Sequence, residues 1–172
     1  MNSYWPDGLE LSDIQSPMEI LESAREDWDT SSDGVLTLVL QEARSETNNN
    51  MIIVHAKHVP SGRTTTLFSV VHRPNAPYPA SIQLKQVDLP DCLKKSYYDP
   101  GPFYFTSLMT TPQGRTVTND WVSDTPSEFR TKLKKVFNLG ATKMGILSLV
   151  SNTPVIDANG TEEATEKQTG ED

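Results

Sequence analysis

Little in this chain offers chemistry. Cys92 is the only cysteine among 172 residues, so an intrachain disulfide is excluded, and a single thiol fits a reducing compartment. Met1–Glu10 lacks the basic start and apolar run of a secretory signal. No stretch approaches the roughly 20 apolar residues needed to span a bilayer. Together these absences give the expectation of a cytoplasmic, soluble protein without a membrane partner. Neither G-x-x-x-x-G-K-[ST] nor G-x-G-x-x-G occurs, so no phosphate or dinucleotide loop is expected. Asp is absent from Gly34 to Val87, where Glu42 and Glu46 are the only acids. That removes the neighbouring carboxylate a metal-dependent nuclease would need beside Gln83-Leu84-Lys85, a Q-x-K step of the restriction-nuclease kind.

What the chain does have is segregated charge. Residues 1–33 carry a net −8, residues 34–151 a net +5 and residues 152–172 a net −5. A basic body between acidic ends favours contact between the ends and the body. A whole-chain pI near 4.8 makes nucleic acid an unlikely partner, since phosphate contacts need clustered Lys and Arg. We read residues 1–15 as an acidic arm, 16–151 as a single domain and 152–172 as a disordered acidic tail.

Two helix starts carry the same signals. Ser16-Pro17-Met18-Glu19 supplies a cap, a proline at the first helical position and a glutamate able to reach back. Met18, Leu21, Ala24 and Trp28 then form one stripe, predicting a helix over about 17–29. Thr125-Pro126-Ser127-Glu128 repeats the box, and Phe129, Leu133, Val136 and Phe137 form the core face of a helix over 126–137. Its other positions include Arg130, Lys132, Lys134 and Lys135. Apolar Lys143–Ser151 suits a final helix or a buried strand, and we take it as helix.

Between these helices the pattern is of strands. Val35–Leu40 reads as a strand buried on both faces. Met51–Val59 and Arg63–Arg73 read as a hairpin about Pro60-Ser61-Gly62-Arg63. With Ser61-Gly62 as a two-residue loop, Ile53 faces Val70, His55 faces Phe68 and His72 faces Met51. The turn end, with Lys57, His58 and Thr64–Thr66, is then expected in solvent. Ala80–Val87 is one more strand, Leu89–Tyr97 a short helix, and Phe103–Met109 with Thr116–Val122 a second hairpin. The fold class is therefore α+β: an antiparallel sheet of about five or six strands, an N-terminal helix and one or two C-terminal helices packed on it.

No convergent acid, base and nucleophile emerge. His55 and His58, three apart on a strand, point to opposite faces. His55 and His72 share a face under the pairing above but stand roughly 13 Å apart along it, too far for one metal ion. Cys92 follows Asp91, which raises a thiol pKa, while Lys94 and Lys95 oppose it; a half-buried structural cysteine results. No catalytic residue, metal ligand or cofactor is assigned.

The favoured expectation is a non-enzymatic protein-interaction module, chaperone-like or immunity- or adaptor-like, whose partner is another protein. Its contact residues are Tyr4 and Trp5 in the acidic arm, and Arg130, Lys132, Lys134 and Lys135 on the second long helix. In outline a small acidic helix–strands–helix protein is similar to secretion chaperones and toxin-immunity proteins, a likeness of layout with no matching motif. Two alternatives are a small hydrolase or nuclease using His55, His72 or Glu42 with Arg73, and a nucleic-acid-associated protein acting through helix 126–137.

Overall fold

The computed structural model describes residues 13–84, 92–99 and 115–151. Helix α1, Pro17–Ser31, starts where the capping residues predict. The Glu19 carboxylate accepts the Ser16 N–H at 2.7 Å, and Ser16 Oγ accepts the Glu19 N–H at 3.3 Å. The Ser16 N–H, together with the Ser16 hydroxyl donating at 2.9 Å, holds the Glu19 carboxyl below the usual carboxylate range. The helix stops where Asp33 (φ 50°) and Gly34 (φ 75°) turn left-handed, and the Gly34 N–H donates to the Asp29 carbonyl at 2.8 Å.

A five-stranded antiparallel sheet follows, in the order β1-β2-β3-β4-β7. Its first four strands, Leu36–Arg44, Asn50–His58, Thr64–His72 and Ala80–Gln83, form a meander, and β7 (Val122–Ser123) closes it. β5 (Ser96–Asp99) and β6 (Arg115–Thr118) make a separate two-stranded ribbon. The helices α2 (Pro126–Phe137) and α3 (Gly140–Val150) follow at the end of the described residues. The α+β layout with one N-terminal and two C-terminal helices is thus as expected.

Several details differ. β1 is an edge strand and runs four residues beyond Leu40, because ladder pairing carries Gln41–Arg44 although three of the four are polar. It is not buried on both faces: Leu38 is buried, whereas Val39 is 37% exposed on the opposite face. The β2–β3 loop has four residues, Val59–Gly62, since the His58 N–H donates to the Arg63 carbonyl. The Gly62 N–H closes the loop onto His58 O, with Gly62 at φ 68°. The register is therefore Ile52↔Val70 and Val54↔Phe68, and a bulge after Val54 shifts it to His55↔Thr66. A one-residue slip exchanges which strand faces lie together. Ile52, Val54, Phe68 and Val70 share the helix-covered face, and His72 pairs with Asn50 rather than Met51.

The expected helix over Leu89–Tyr97 is not formed where the chain is described. Cys92 leads into a turn, and Ser96–Asp99 is strand β5, paired with Arg115–Thr118. Residues 85–91 and Phe103–Met109 lie outside the described residues. Thr116–Val122 is not one strand: Val122 belongs to β7 in the main sheet, where it pairs with Ser81. The turn end of the β2–β3 hairpin is not left to solvent alone. Arg63 donates to the Ser148 carbonyl (3.3 Å) and the Ser151 carbonyl (3.5 Å), latching α3 against it.

One core joins the layers. Ile20 and Leu21 of α1 and Phe129, Leu133 and Val136 of α2 pack on Leu38, Ile52, Val54, Phe68, Val70, Ala80 and Ile82. Tyr78 meets Phe129 edge-on at 6.4 Å, and Phe137 stands 5.2 Å from Trp28 and 5.6 Å from Phe68. Ser69, Val71, Ser81 and Val122 alternate to the other face and are also buried. α2 is capped by Thr125 Oγ1, which accepts the Glu128 N–H at 3.2 Å. The box does not close as in α1, because Glu128 takes the Asp124 N–H at 2.9 Å and pairs with Lys95 instead.

Among the described residues, the buried Ser123 hydroxyl has no hydrogen-bond partner. Removing an unsatisfied buried hydroxyl removes its desolvation cost, so Ser123→Ala is expected to be neutral or to stabilise by about 1 kcal/mol. Thermal unfolding of the variant against the parent checks this; a clear loss of stability would mean that the hydroxyl is bonded.

Candidate functional site

The hydrolytic alternative required His55, His72 and Glu42 to converge with Arg73. The pleat sends them apart. His55 follows Val54 on β2 and lies on the sheet face away from the helices, where its Nδ1 is 3.0 Å from Thr66 Oγ1. His58 Nδ1 meets Ser61 Oγ at 2.7 Å within the loop. His72 lies on the helix-covered face, so it does not share a face with His55 as the two-residue loop implied. Its Nδ1 sits 2.9 Å from Arg73 O and 3.3 Å from Ala76 O; facing two carbonyls, that nitrogen carries the proton.

A cleft of about 490 Å³ opens below the N-terminus of α1, lined by Ser16, Met18, Glu42, Arg44, Asn50 and His72 among others. It brings Glu42 and His72 to one concavity but excludes His55 and Arg73. Glu42 pairs with Ile52 and His72 with Asn50, so β2 separates them and they are two residues out of step. Two strand spacings of ~4.8 Å and two residues of ~3.3 Å put their backbones about 12 Å apart. Arg44 is itself turned to Asn48 Oδ1 at 3.2 Å. Among the described residues, no three His, Cys, Asp or Glu side chains are grouped as metal ligands would be.

A second hollow, about 240 Å³, lies between α1 and α2. Its floor is apolar: Ile20, Ala24 and Trp28 from α1, Leu133 and Phe137 from α2. Gln15 and Arg130 stand at one end and Trp28 and Phe137 at the other, so the helices run in the same direction along it. The rim carries Ser23 and Asp27 on the α1 side and Lys134 on the α2 side.

The four basic residues anticipated on α2 divide into two kinds. Arg130 grips Asp13 with both prongs, Nη1–Oδ2 at 2.8 Å and Nη2–Oδ1 at 2.6 Å, and donates to Gln15 Oε1 at 2.5 Å. This contact holds the Asp13 carboxyl below its ordinary range and raises the Arg130 guanidinium. Gln15 is fixed a second time, its carbonyl accepting the Tyr78 hydroxyl at 3.0 Å; burial pushes that phenol up. Lys132 Nζ donates to the Val122 carbonyl, tying α2 to β7. Lys134 and Lys135 remain exposed near the helix C-terminus. Tyr4 and Trp5 lie outside the described residues.

Sequence reasoning treated Trp28 and Phe137 as ordinary core positions. Both are only partly buried, and together they wall the end of the groove. Each ends an apolar helical stripe, but nothing in periodicity says that two such stripes run side by side. Asp13 was equally unremarked, although opposite charge in arm and body was the signal for its pairing with Arg130. No protein-family model, curated protein or solved structure matches this chain.

Proposed function

We propose that this protein is a non-enzymatic interaction module whose α1–α2 groove, with Lys134 on its rim and Lys135 exposed further round α2, receives an acidic segment bearing apolar anchors on a partner protein. The observation carrying this reading is the groove itself: an apolar floor walled by Trp28 and Phe137, with cations on the α2 side. Aromatic-lined hollows with a charged rim supply anchors and register to a docked chain. The histidines favour binding over catalysis because they stand apart: His55 on the sheet face away from the helices, His58 beside the β2–β3 loop and His72 at the α1 cleft. Of the basic helix, two lysines are left for a partner, less charge than a phosphate-tracking face gathers.

The test uses the full chain with a photo-crosslinking residue at exposed Ser23, with and without Lys134→Glu plus Lys135→Glu. Both lysines are exposed, so the fold should persist by circular dichroism. The parent is expected to give one protein adduct in cell extract, with yield falling about tenfold or more on charge reversal. An adduct insensitive to the reversal, or none, would count against the groove.

A further inference from the structure

The described chain enters at the groove. Asp13 is clamped by Arg130 at its mouth, and Gln15 lines its first turn, so the residues preceding Asp13 leave from that end. Those residues read Met-Asn-Ser-Tyr-Trp-Pro-Asp-Gly-Leu-Glu-Leu-Ser, an unusual combination of large apolar groups with two acids. We propose that the groove's resident occupant is this segment of the same chain, Tyr4–Leu11, folded back along α1 and α2. The inference rests on the groove being a docking surface, and makes the arm the competitor that an external partner must displace.

Three observations converge. The first is reach. From Gln15 to Trp28 is thirteen helical residues, about 20 Å at 1.5 Å each. Extended chain covers that in about six residues, so a strand running back from Asp13 arrives at the Trp28–Phe137 end between Asp7 and Trp5. Trp5 thus meets the two aromatic walls, while Leu9 and Leu11 fall over Ile20, Ala24 and Leu133. The second is charge. The segment's two acids, Asp7 and Glu10, complement a groove whose α2 side carries Arg130 and Lys134; Asp27 on the α1 rim is the carboxylate among the described lining residues. The third is the fixed entry. A bidentate guanidinium–carboxylate contact and the Tyr78–Gln15 bond set the departure direction, which raises the effective concentration of the arm at the groove. Ile14, between the two clamped residues, is 78% exposed, so the clamp holds through polar groups and not through its own apolar side chain.

The experiment places a nitroxide on the full chain at Ser3→Cys; Cys92 is buried and is not expected to react in the folded protein. Paramagnetic broadening is read on the backbone amides of a nitrogen-15-labelled sample. Strong broadening of Asp27, Trp28 and Phe137 is expected, with α3 residues Met144–Val150 unaffected. Trp5→Ala should reduce that broadening several-fold without shifting core resonances. Broadening elsewhere, or none, overturns the proposal. So does equal broadening when spin-labelled and isotope-labelled chains are separate molecules, which would assign the groove to a second copy. The two readings fail separately: loss of broadening with a charge-sensitive Ser23 adduct leaves the groove to a foreign partner alone, whereas broadening without an adduct leaves it to the arm alone.

Discussion

Phe129→Ala is expected to lower stability by about 3–5 kcal/mol, a large part of the roughly 5–15 kcal/mol typical of a domain. Phe129 is fully buried and joins α2 to the sheet while stacking edge-on against Tyr78. Its removal leaves a cavity that α2 cannot close, because Thr125 and Lys132 fix that helix at its start and on β7. Denaturant unfolding should show a lower midpoint with an unchanged slope. Phe137→Ala is the comparator: partly exposed at the groove end, it should cost distinctly less. Equal losses would mean that α2 is seated with a different face inward.

A still larger effect is expected at Val54. A carboxylate there would have no partner in the centre of the helix-covered face, so Val54→Asp should leave the chain unfolded, its cost exceeding about 5 kcal/mol. The adjacent Ile53→Asp should fold, with a penalty of about 1–2 kcal/mol, because Ile53 is only half-buried, on the face away from the helices, between Gln41 and Ser69. Far-UV circular dichroism and dispersion of amide resonances separate the two variants. If Ile53→Asp unfolded and Val54→Asp were tolerated, the faces would be those implied by the two-residue loop.

The contrast between these neighbours shows how far the sequence could be read. Strand existence was legible from the β-branched runs, and both long helices from their Ser16 and Thr125 caps. Register was not. Ser61-Gly62 has the composition of a two-residue turn, but Val59 donates its N–H to Val35, just before β1, so the loop opens two residues earlier, at Val59, and still ends at Gly62. The bulge after Val54 adds a second shift that no local residue announces. The end of β1 was missed for the opposite reason. Gln41, Glu42 and Arg44 are polar because the strand is an edge, and polarity alone reads as loop. At Leu89–Tyr97 the proline and leucine spacing favoured helix, while the pairing of Ser96–Asp99 with Arg115–Thr118 is a long-range contact that local propensity does not contain.

For the candidate site, charge pattern was informative and geometry was not. Opposite net charge in the arm and the body anticipated contact between them, and Asp13 with Arg130 is one such contact among the described residues. Which bases of α2 stay accessible was hidden, since Lys132 is drawn inward by a backbone carbonyl of β7. The groove depends on α1 and α2 lying side by side, which follows from tertiary packing on a shared sheet face.

Strand order has a consequence for the time course of synthesis. β1 to β4 pair with one another in chain order, contacts of short sequence separation that form early, and β4 alone takes a distant partner, β7. Their sheet nevertheless lacks the α2 part of its lid until residues 126–137 have left the ribosome, some forty residues after β4. A nascent chain halted before α2 therefore presents an apolar floor covered by α1 alone, and a chaperone that captures such floors would meet this protein during that interval.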